Sequence, residues 1–107
     1  ITTYQLPIAS FPDGVLVASA EIVSRLIEAS QLGLDRICAP YKDGKVPLTS
    51  HLEQGDPRET IIALARDRKF SLIVMGTHGR KGISRALMGS TTEAVIRASE
   101  VPVLTVH

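Results

Sequence analysis

A glycine-rich turn in the second half of the chain carries the residues that could do chemistry. It reads GTHGRKG over residues 76–82 and, with nine residues between Gly79 and Gly89, GST over residues 89–91. Glycine lets backbone N–H groups approach a ligand without a Cβ in the way, and the first amides of a helix lack partners inside the helix. Because such amides bind phosphate groups, the spacing predicts an anion site here, beside a helix that opens near Ser90.

The charges of this turn agree with an anion site. Between Gly76 and Thr92 the chain has no acidic residue and three basic ones, which are Arg80, Lys81 and Arg85. The whole chain is nearly neutral, with 12 Lys+Arg, 11 Asp+Glu and a formal charge of +1. That balance is too small for a nucleic-acid or anionic-membrane footprint, so neither partner is expected. The three cations would equally suit an ordinary solvated face.

The motifs of efficient enzymes are absent from the sequence. There is no Gly-x-x-x-x-Gly-Lys-Ser/Thr loop and no Gly-x-Gly-x-x-Gly, and no acidic residue follows the turn closely enough to hold Mg²⁺ or act as a base. A Ser84 or Ser90 nucleophile with His78 would lack the strained elbow of a hydrolase. His78 also lacks a second ligand at metal spacing, so we predict no metal site and no catalytic residue. A slow ATPase activity is still compatible with the sequence.

Composition and cysteine usage set the broad class of protein. The chain has 107 residues, 44% of them hydrophobic, which suits a single globular domain over residues 1–107. A lone cysteine, Cys38, cannot form an intrachain disulfide, so a reducing compartment, the cytoplasm, is expected. The longest apolar runs, Ile61–Ala65 and Leu72–Met75, are far short of the roughly 20 residues that a membrane-spanning helix needs. No membrane segment is expected.

Helical and strand patterns alternate along the chain. Apolar spacing and capping residues predict helices over Val15–Leu32, Pro57–Arg68 and Thr91–Ser99. Short β-forming runs predict strands over Leu48–Glu53, Leu72–Met75 and Val103–Val106, after a strand tail in Ile1–Ile8 and a turn at Pro12–Gly14. This order predicts an α/β fold with parallel strands, helical crossovers and ligands beyond the carboxyl ends of the strands.

Three signals mark the limits of the helices. Gly33 is placed to end the first helix as its C′ residue. Asp56 is a capping residue for the second helix, with Pro57 at the first helical position. Residues 90–93, STTE, read as a capping box with Ser90 as the N-cap of the third helix. A purely structural role for Ser90 therefore stands beside phosphate contact, and the two can coexist.

The glycine turn also carries a resemblance to a known family. Gly76, Gly79 and Gly89-Ser90, separated by two and nine residues, resemble the nucleotide-binding signature of the universal stress protein family. Residues 72–80 and 101–104 resemble that family's last two strands, and the resemblance covers about residues 48–107. It implies a doubly wound parallel sheet with helices on both faces, of the adenine nucleotide alpha hydrolase-like type, short at its N-terminus.

The resemblance implies a binding site and a function. Some family members bind ATP, with or without Mg²⁺, through backbone and hydroxyl contacts to the phosphates and ribose. The predicted binding residues are Met75, Gly76, Gly79, Arg80, Gly89, Ser90 and Thr91. We therefore expect an ATP-binding regulatory protein of the stress response. The alternatives are a dimerisation or regulatory module with a vestigial nucleotide site, and a slow ATPase.

The resemblance also implies a dimer. Family members are often dimeric, and the family's strand order places Val103–Val106 at the edge of the sheet, where this strand commonly pairs with its twin. The run is short and apolar, and neither a proline nor a run of lysines blunts its edge. We expect an isologous homodimer through this strand.

The first part of the chain departs from the family pattern. The family's first strand, which ends in an aspartate near the adenine, and its first helix have no counterpart before the helix predicted at Val15. By the family's strand order these elements would lie between the strands at Leu48 and Leu72. Three interpretations stay open: a protein longer than this chain, a second chain that supplies the strands, or a shortened member with a rearranged sheet.

Overall fold

Two compact units make up the chain, Ile1–Asp56 and Pro57–His107. The structure, a computed structural model, describes residues 1–6, 8–12, 14–17, 19–77 and 88–107. Each unit contains a parallel pair of strands and at least one helix that follows a strand in the chain. The predicted α/β class is thereby confirmed, and the single domain over residues 1–107 stays a prediction.

The first unit pairs its first strand with its last. Its elements are β1 (Thr2–Tyr4), β2 (Ile8–Phe11), β3 (Gly14–Val17), α1 (Ala20–Cys38), a 3-10 turn (Ala39–Tyr41) and β4 (Leu52–Gln54). β1 and β4 lie parallel, with Thr2 opposite Leu52. Helix α1 packs against both strands. The predicted strand tail in Ile1–Ile8 is therefore β1.

Residues 15–17 form a strand, so the prediction that the first helix begins at Val15 is wrong. β2 and β3 form an antiparallel hairpin in which Ile8 lies opposite Val17 and Phe11 opposite Gly14. Gly14 has a φ of 149°, which L side chains rarely adopt, and this permits the tight reversal. The Val-Leu-Val run favours a strand once a partner strand is present, and this pairing outweighs its helical spacing.

Helix α1 begins and ends later than predicted. Ser19 is its N-cap. The Ser19 hydroxyl oxygen accepts a hydrogen bond from the amide nitrogen of Ile22 in the first turn, 3.4 Å away. The helix passes through Gly33 and ends at Cys38, so Gly33 is not its C′ residue. An interior glycine costs only about 1 kcal/mol, and the turn beyond it buries Leu34. Pro40, which has no N–H to donate, then ends the α-helical pattern. No helix among the described residues is long and apolar enough to cross a membrane.

Strand β4 is shorter than the predicted strand over Leu48–Glu53. Residues 48–51 have no regular structure, and only Leu52–Gln54 pairs with β1. The Thr2 amide donates to the His51 carbonyl at 2.9 Å, immediately before the first pair of the ladder. The Gly55 amide donates to the Tyr4 carbonyl at 2.9 Å just beyond the last pair, which closes the ladder.

The second unit follows the prediction closely. Its elements are α2 (Pro57–Asp67), β5 (Ile73–Gly76), α3 (Ser90–Ala98) and β6 (Val103–Val106). β5 and β6 lie parallel, with Ile73 opposite Val103 and Gly76 opposite Val106. The predicted last strand is confirmed, and the strand predicted over Leu72–Met75 is confirmed with a shift of one residue.

A small core lies between the two helices and this strand pair. Ala65 of α2, Ile73 of β5 and Val95 of α3 are buried, and Val95 is 0% exposed. Side chains alternate along the strands, so Val74 and Leu104 lie on the opposite face and are exposed. The helices therefore cover one face of the pair and fix α3 against β5.

Candidate functional site

The carboxyl end of β5 leads directly into the predicted site. Gly76 is the last residue of the strand. The amide of the next residue, Thr77, donates to the Val106 carbonyl of β6 at 2.9 Å, and Thr77 is buried. The ladder therefore continues one residue past β5 and fixes the point where the glycine turn begins.

The turn returns to this point at Gly89, the N-cap of α3. The Gly89 amide donates to the Thr77 carbonyl at 2.8 Å. A Cβ added to Gly89 would lie 3.2 Å from that carbonyl oxygen, tighter than nearly all Cβ contacts. The Gly89 φ of −63° and ψ of 146° suit any residue. Glycine therefore favours the close approach of the two backbones and is not called for by an unusual conformation.

A side-chain bond joins the same two elements. The Thr92 hydroxyl, in the first turn of α3, donates to the Gly76 carbonyl at 2.8 Å. Thr92 is 3% exposed, so water does not compete for this bond. The beginning of α3 is thus tied to the end of β5 twice, once through the backbone and once through Thr92.

The capping box predicted with Ser90 as N-cap is wrong. Ser90 is the first residue of α3, and the cap, Gly89, makes no side-chain bond. Glu93 was expected to reach back to the cap, but its carboxylate pairs with Arg97, with Oε1 2.8 Å from Nη2. Because the turn closes on Thr77 at Gly89, the helix begins at Ser90, and Glu93 lies one residue too far along it for a box.

The first turn of α3 presents amide donors. The Glu93 amide is the first that bonds within the helix, to the Gly89 carbonyl at 3.0 Å. The amides of residues 90–92 come before it and have no carbonyl partner within the helix. Together with the helix dipole they attract an anion. Since the Gly89 amide already donates to Thr77, the predicted phosphate contact depends on the amides of Ser90 and Thr91.

The predicted binding residues fall into three groups. Met75 and Gly76 lie at the end of β5, and Gly89, Ser90 and Thr91 lie at the beginning of α3. The two bonds described above bring these groups together. The Met75 side chain packs against the core. Outside the described residues lie Gly79 and Arg80, together with His78, Lys81, Ser84 and Arg85.

Thr92 is the site residue that the sequence reasoning missed. A capping box uses only the first and last residues of STTE, so that pattern gives Thr92 no role. The sequence does contain a signal for it. A hydroxyl residue stands at the third position of a helix that follows a strand and a turn bounded by glycines. Its partner lies 16 residues away, so only the fold identifies it.

The donors at the beginning of α3 suit an anion and not a cation. N–H and hydroxyl groups can bind phosphate oxygens, and the Ser90 side chain is exposed while Thr91 is half-buried. Within the described part of the chain, no group of three His, Cys, Asp or Glu side chains could hold a metal ion. The residues present therefore fit the phosphates of a nucleotide.

A separate cavity lies at the opposite end of β5 and β6. Its volume is about 340 Å³, and its wall includes Arg66 in the last turn of α2, Phe70 after that helix, and Val101 before β6. None of the predicted binding residues that the structure describes lines it. The length of β5 separates this cavity from the junction with α3.

Comparison with known families identifies the class of protein. The profile of the universal stress protein family matches residues 7–107. The chain therefore belongs to the universal stress protein family. The match includes the whole of the second unit, with β5, the glycine turn and α3.

Individual relatives agree with this assignment. Universal stress protein MJ0531 of Methanocaldococcus jannaschii is 33% identical over 104 residues, which are 96% of this chain and 61% of the relative. Two solved structures are similar as well. Hypothetical protein MJ0577 matches with a TM-score of 0.74 and 32% identity over 80% of this chain and 60% of its own. Hypothetical protein PH0823 matches with a TM-score of 0.63 and 25% identity, over 79% of this chain and 60% of its own. The chain spans about 60% of the length of these relatives.

Proposed function

We propose that this universal stress protein binds ATP at the junction of β5 and α3 and acts as a regulator in the stress response. The observation that carries the proposal is the junction itself, where two hydrogen bonds hold the first turn of α3 beyond the carboxyl end of a parallel strand. Ligands of open α/β sheets bind at that end of the strands. The nucleotide signature from Gly76 to Ser90, which resembles that of family members that bind ATP, supports ATP as the ligand.

In this proposal the phosphates lie against α3. The amides and hydroxyls of Ser90 and Thr91 donate to phosphate oxygens. Gly79 and Arg80, which lie outside the described residues, are the further binding residues of this proposal. A Mg²⁺ ion that accompanied the nucleotide would be coordinated by phosphate oxygens and water.

We further propose a homodimer paired through β6. Among the described strands, β6 pairs only with β5 and along one edge. Leu104 and Val106, 51% and 50% exposed, give the strand an uncovered apolar face. A second copy of β6 would extend the ladder across a two-fold axis and cover part of this face. The compartment we propose is the cytoplasm, because the lone Cys38 is a free thiol.

A second candidate function follows from the contact at Gly89. The fold itself favours glycine there, because a Cβ would lie 3.2 Å from the Thr77 carbonyl oxygen. One glycine of the nucleotide signature is therefore explained without any ligand. On this view the protein is a dimerisation module whose nucleotide site is vestigial.

Calorimetric titration of the full chain separates the two candidates. We expect saturable binding of ATP and of inorganic tripolyphosphate, with both weakened at higher salt because phosphate charge contributes. Adenosine, which lacks phosphates, should bind more weakly than ATP. The absence of heat with ATP and with tripolyphosphate, in a protein shown to be folded by circular dichroism, would support the vestigial module.

A further inference from the structure

We infer that Thr92 is a positioning residue for phosphate binding, an inference that rests on the nucleotide site proposed above. Thr92 is almost completely buried, and its hydroxyl donates to the Gly76 carbonyl. It therefore acts through the strand end and not through contact with the ligand. Its effect is to fix where the amides of Ser90 and Thr91 lie relative to β5.

The Gly76 carbonyl needs a donor from outside the β5–β6 ladder. The Thr77 amide donates to the Val106 carbonyl and so faces β6, as does the Ile73 amide four residues earlier, which donates to the residue before β6. The Gly76 carbonyl and the Thr77 N–H belong to one trans peptide group and point in opposite directions, so the Gly76 carbonyl faces away from β6. The Thr92 hydroxyl fills this position at 2.8 Å.

The two bonds between β5 and α3 bracket the proposed phosphate donors. Gly89 is tied to the Thr77 carbonyl immediately before the donors, and Thr92 is tied to the Gly76 carbonyl immediately after them. Ser90 and Thr91 are the two residues in between. A shift of the helix start by a fraction of an ångström would misalign both amides, because hydrogen bonds weaken steeply with distance and angle.

Anchoring of α3 by itself does not require this hydroxyl. Val95, one turn further along, is 0% exposed in the core, and the backbone bond from Gly89 already joins helix to strand. An apolar side chain of the same shape would keep the packing at position 92. What the hydroxyl adds is a fixed direction for the first turn, which a phosphate site needs and a packed helix does not.

Two substitutions at Thr92 separate shape from hydrogen bonding. Thr92→Val keeps the shape and removes the hydroxyl, whereas Thr92→Ser keeps the hydroxyl. We expect Thr92→Val to weaken ATP and tripolyphosphate binding about tenfold, which is the loss expected from removing one hydrogen bond that holds the phosphate donors in place. Thr92→Ser should stay within about threefold of the wild-type affinity, since its bond to Gly76 remains.

Ile73→Val is the matched control. It removes one methyl group from the buried core of the same unit without touching the junction. Thermal unfolding of all variants shows the stability lost by each, and amide exchange measured by NMR adds a local readout. The Gly89 amide should exchange faster in Thr92→Val than in Thr92→Ser or Ile73→Val.

The outcomes distinguish this inference from the proposed function. A folded Thr92→Val variant with wild-type affinity for both ligands would overturn the role of Thr92 and leave the nucleotide site standing. Equal weakening in Thr92→Val and Ile73→Val would also overturn it, because affinity would then follow stability. A wild-type chain that binds neither ligand would overturn the nucleotide site and the inference with it.

Discussion

The amide nitrogen of Gly89 lies 2.8 Å from the carbonyl oxygen of Thr77, so the glycine turn begins and ends at the same point of the fold. Thr77 continues the β5–β6 ladder, and Gly89 caps α3. Strand end and helix start therefore meet at one junction. The proposed phosphate donors belong to the residues immediately after it.

This closure predicts a cost for any side chain at Gly89. Gly89→Ala should lower the free energy of unfolding by about 1 kcal/mol, because its Cβ would lie 3.2 Å from a backbone oxygen that can move little. In a unit of this size that corresponds to a Tm lower by about 4–8 °C, measured by thermal unfolding. Gly89→Val should lower the free energy of unfolding further. An unchanged Tm in Gly89→Ala would contradict the close approach.

The same contact makes Gly89→Val a poor probe of nucleotide binding. Gly89→Val combines the effect on the junction with any effect on the ligand, so its loss of ATP affinity alone would not show a contact with phosphate. Variants at Ser90, whose side chain is exposed, avoid this difficulty.

Helix α1 continues through Gly33, so we expect replacement of this glycine by alanine to stabilise the protein, whereas the same replacement at Gly89 destabilises it. A Cβ at Gly33 meets nothing within 4 Å, and the residue is helical. Gly33→Ala should raise the free energy of unfolding by about 0.5–1 kcal/mol, since alanine favours a helix interior. Urea unfolding measures the change. Destabilisation would instead indicate that the helix ends at Gly33 with a left-handed residue.

The proposed dimer predicts an effect of charge on β6. Leu104→Lys should weaken the dimer, because Leu104 is exposed in the strand that would form the seam. Multi-angle light scattering over a range of concentrations measures the association. Glu100→Gln, which changes the net charge equally outside the strand, should leave the dimer unchanged. Monomeric wild-type protein at micromolar concentration would remove the basis for the proposal.

The second unit could be predicted from sequence because its signals are local. Asp56 and Pro57 mark the beginning of α2, and Pro102 precedes a β-forming run that is strand β6. The predicted residues at the end of β5 and the beginning of α3 do lie together, because glycines bracket the turn between them. The contributions of Gly79 and Arg80 stay predictions.

What the sequence could not provide depends on partners far along the chain. Val15 and its neighbours have a helical spacing, and only their pairing with residues 8–11 makes them a strand. Likewise, Thr92 gains its role from the Gly76 carbonyl, and the helix start at Ser90 depends on closure onto Thr77. Local propensity is weak against such tertiary contacts.

The most direct test of the proposed site removes one amide N–H and controls for the hydroxyl lost with it. Proline suits the first helical position and lacks an N–H, and the extended Gly89 tolerates a following proline, so Ser90→Pro deletes the donor while keeping the helix. Ser90→Ala, which keeps the amide and loses the hydroxyl, is the matched control. The measurement is the calorimetric Kd for ATP. We predict that Ser90→Pro raises it about tenfold or more relative to Ser90→Ala, as expected for a lost charge-assisted hydrogen bond, with Tm values within a few degrees of each other. Equal Kd values for Ser90→Pro, Ser90→Ala and the wild type would contradict phosphate binding at the beginning of α3.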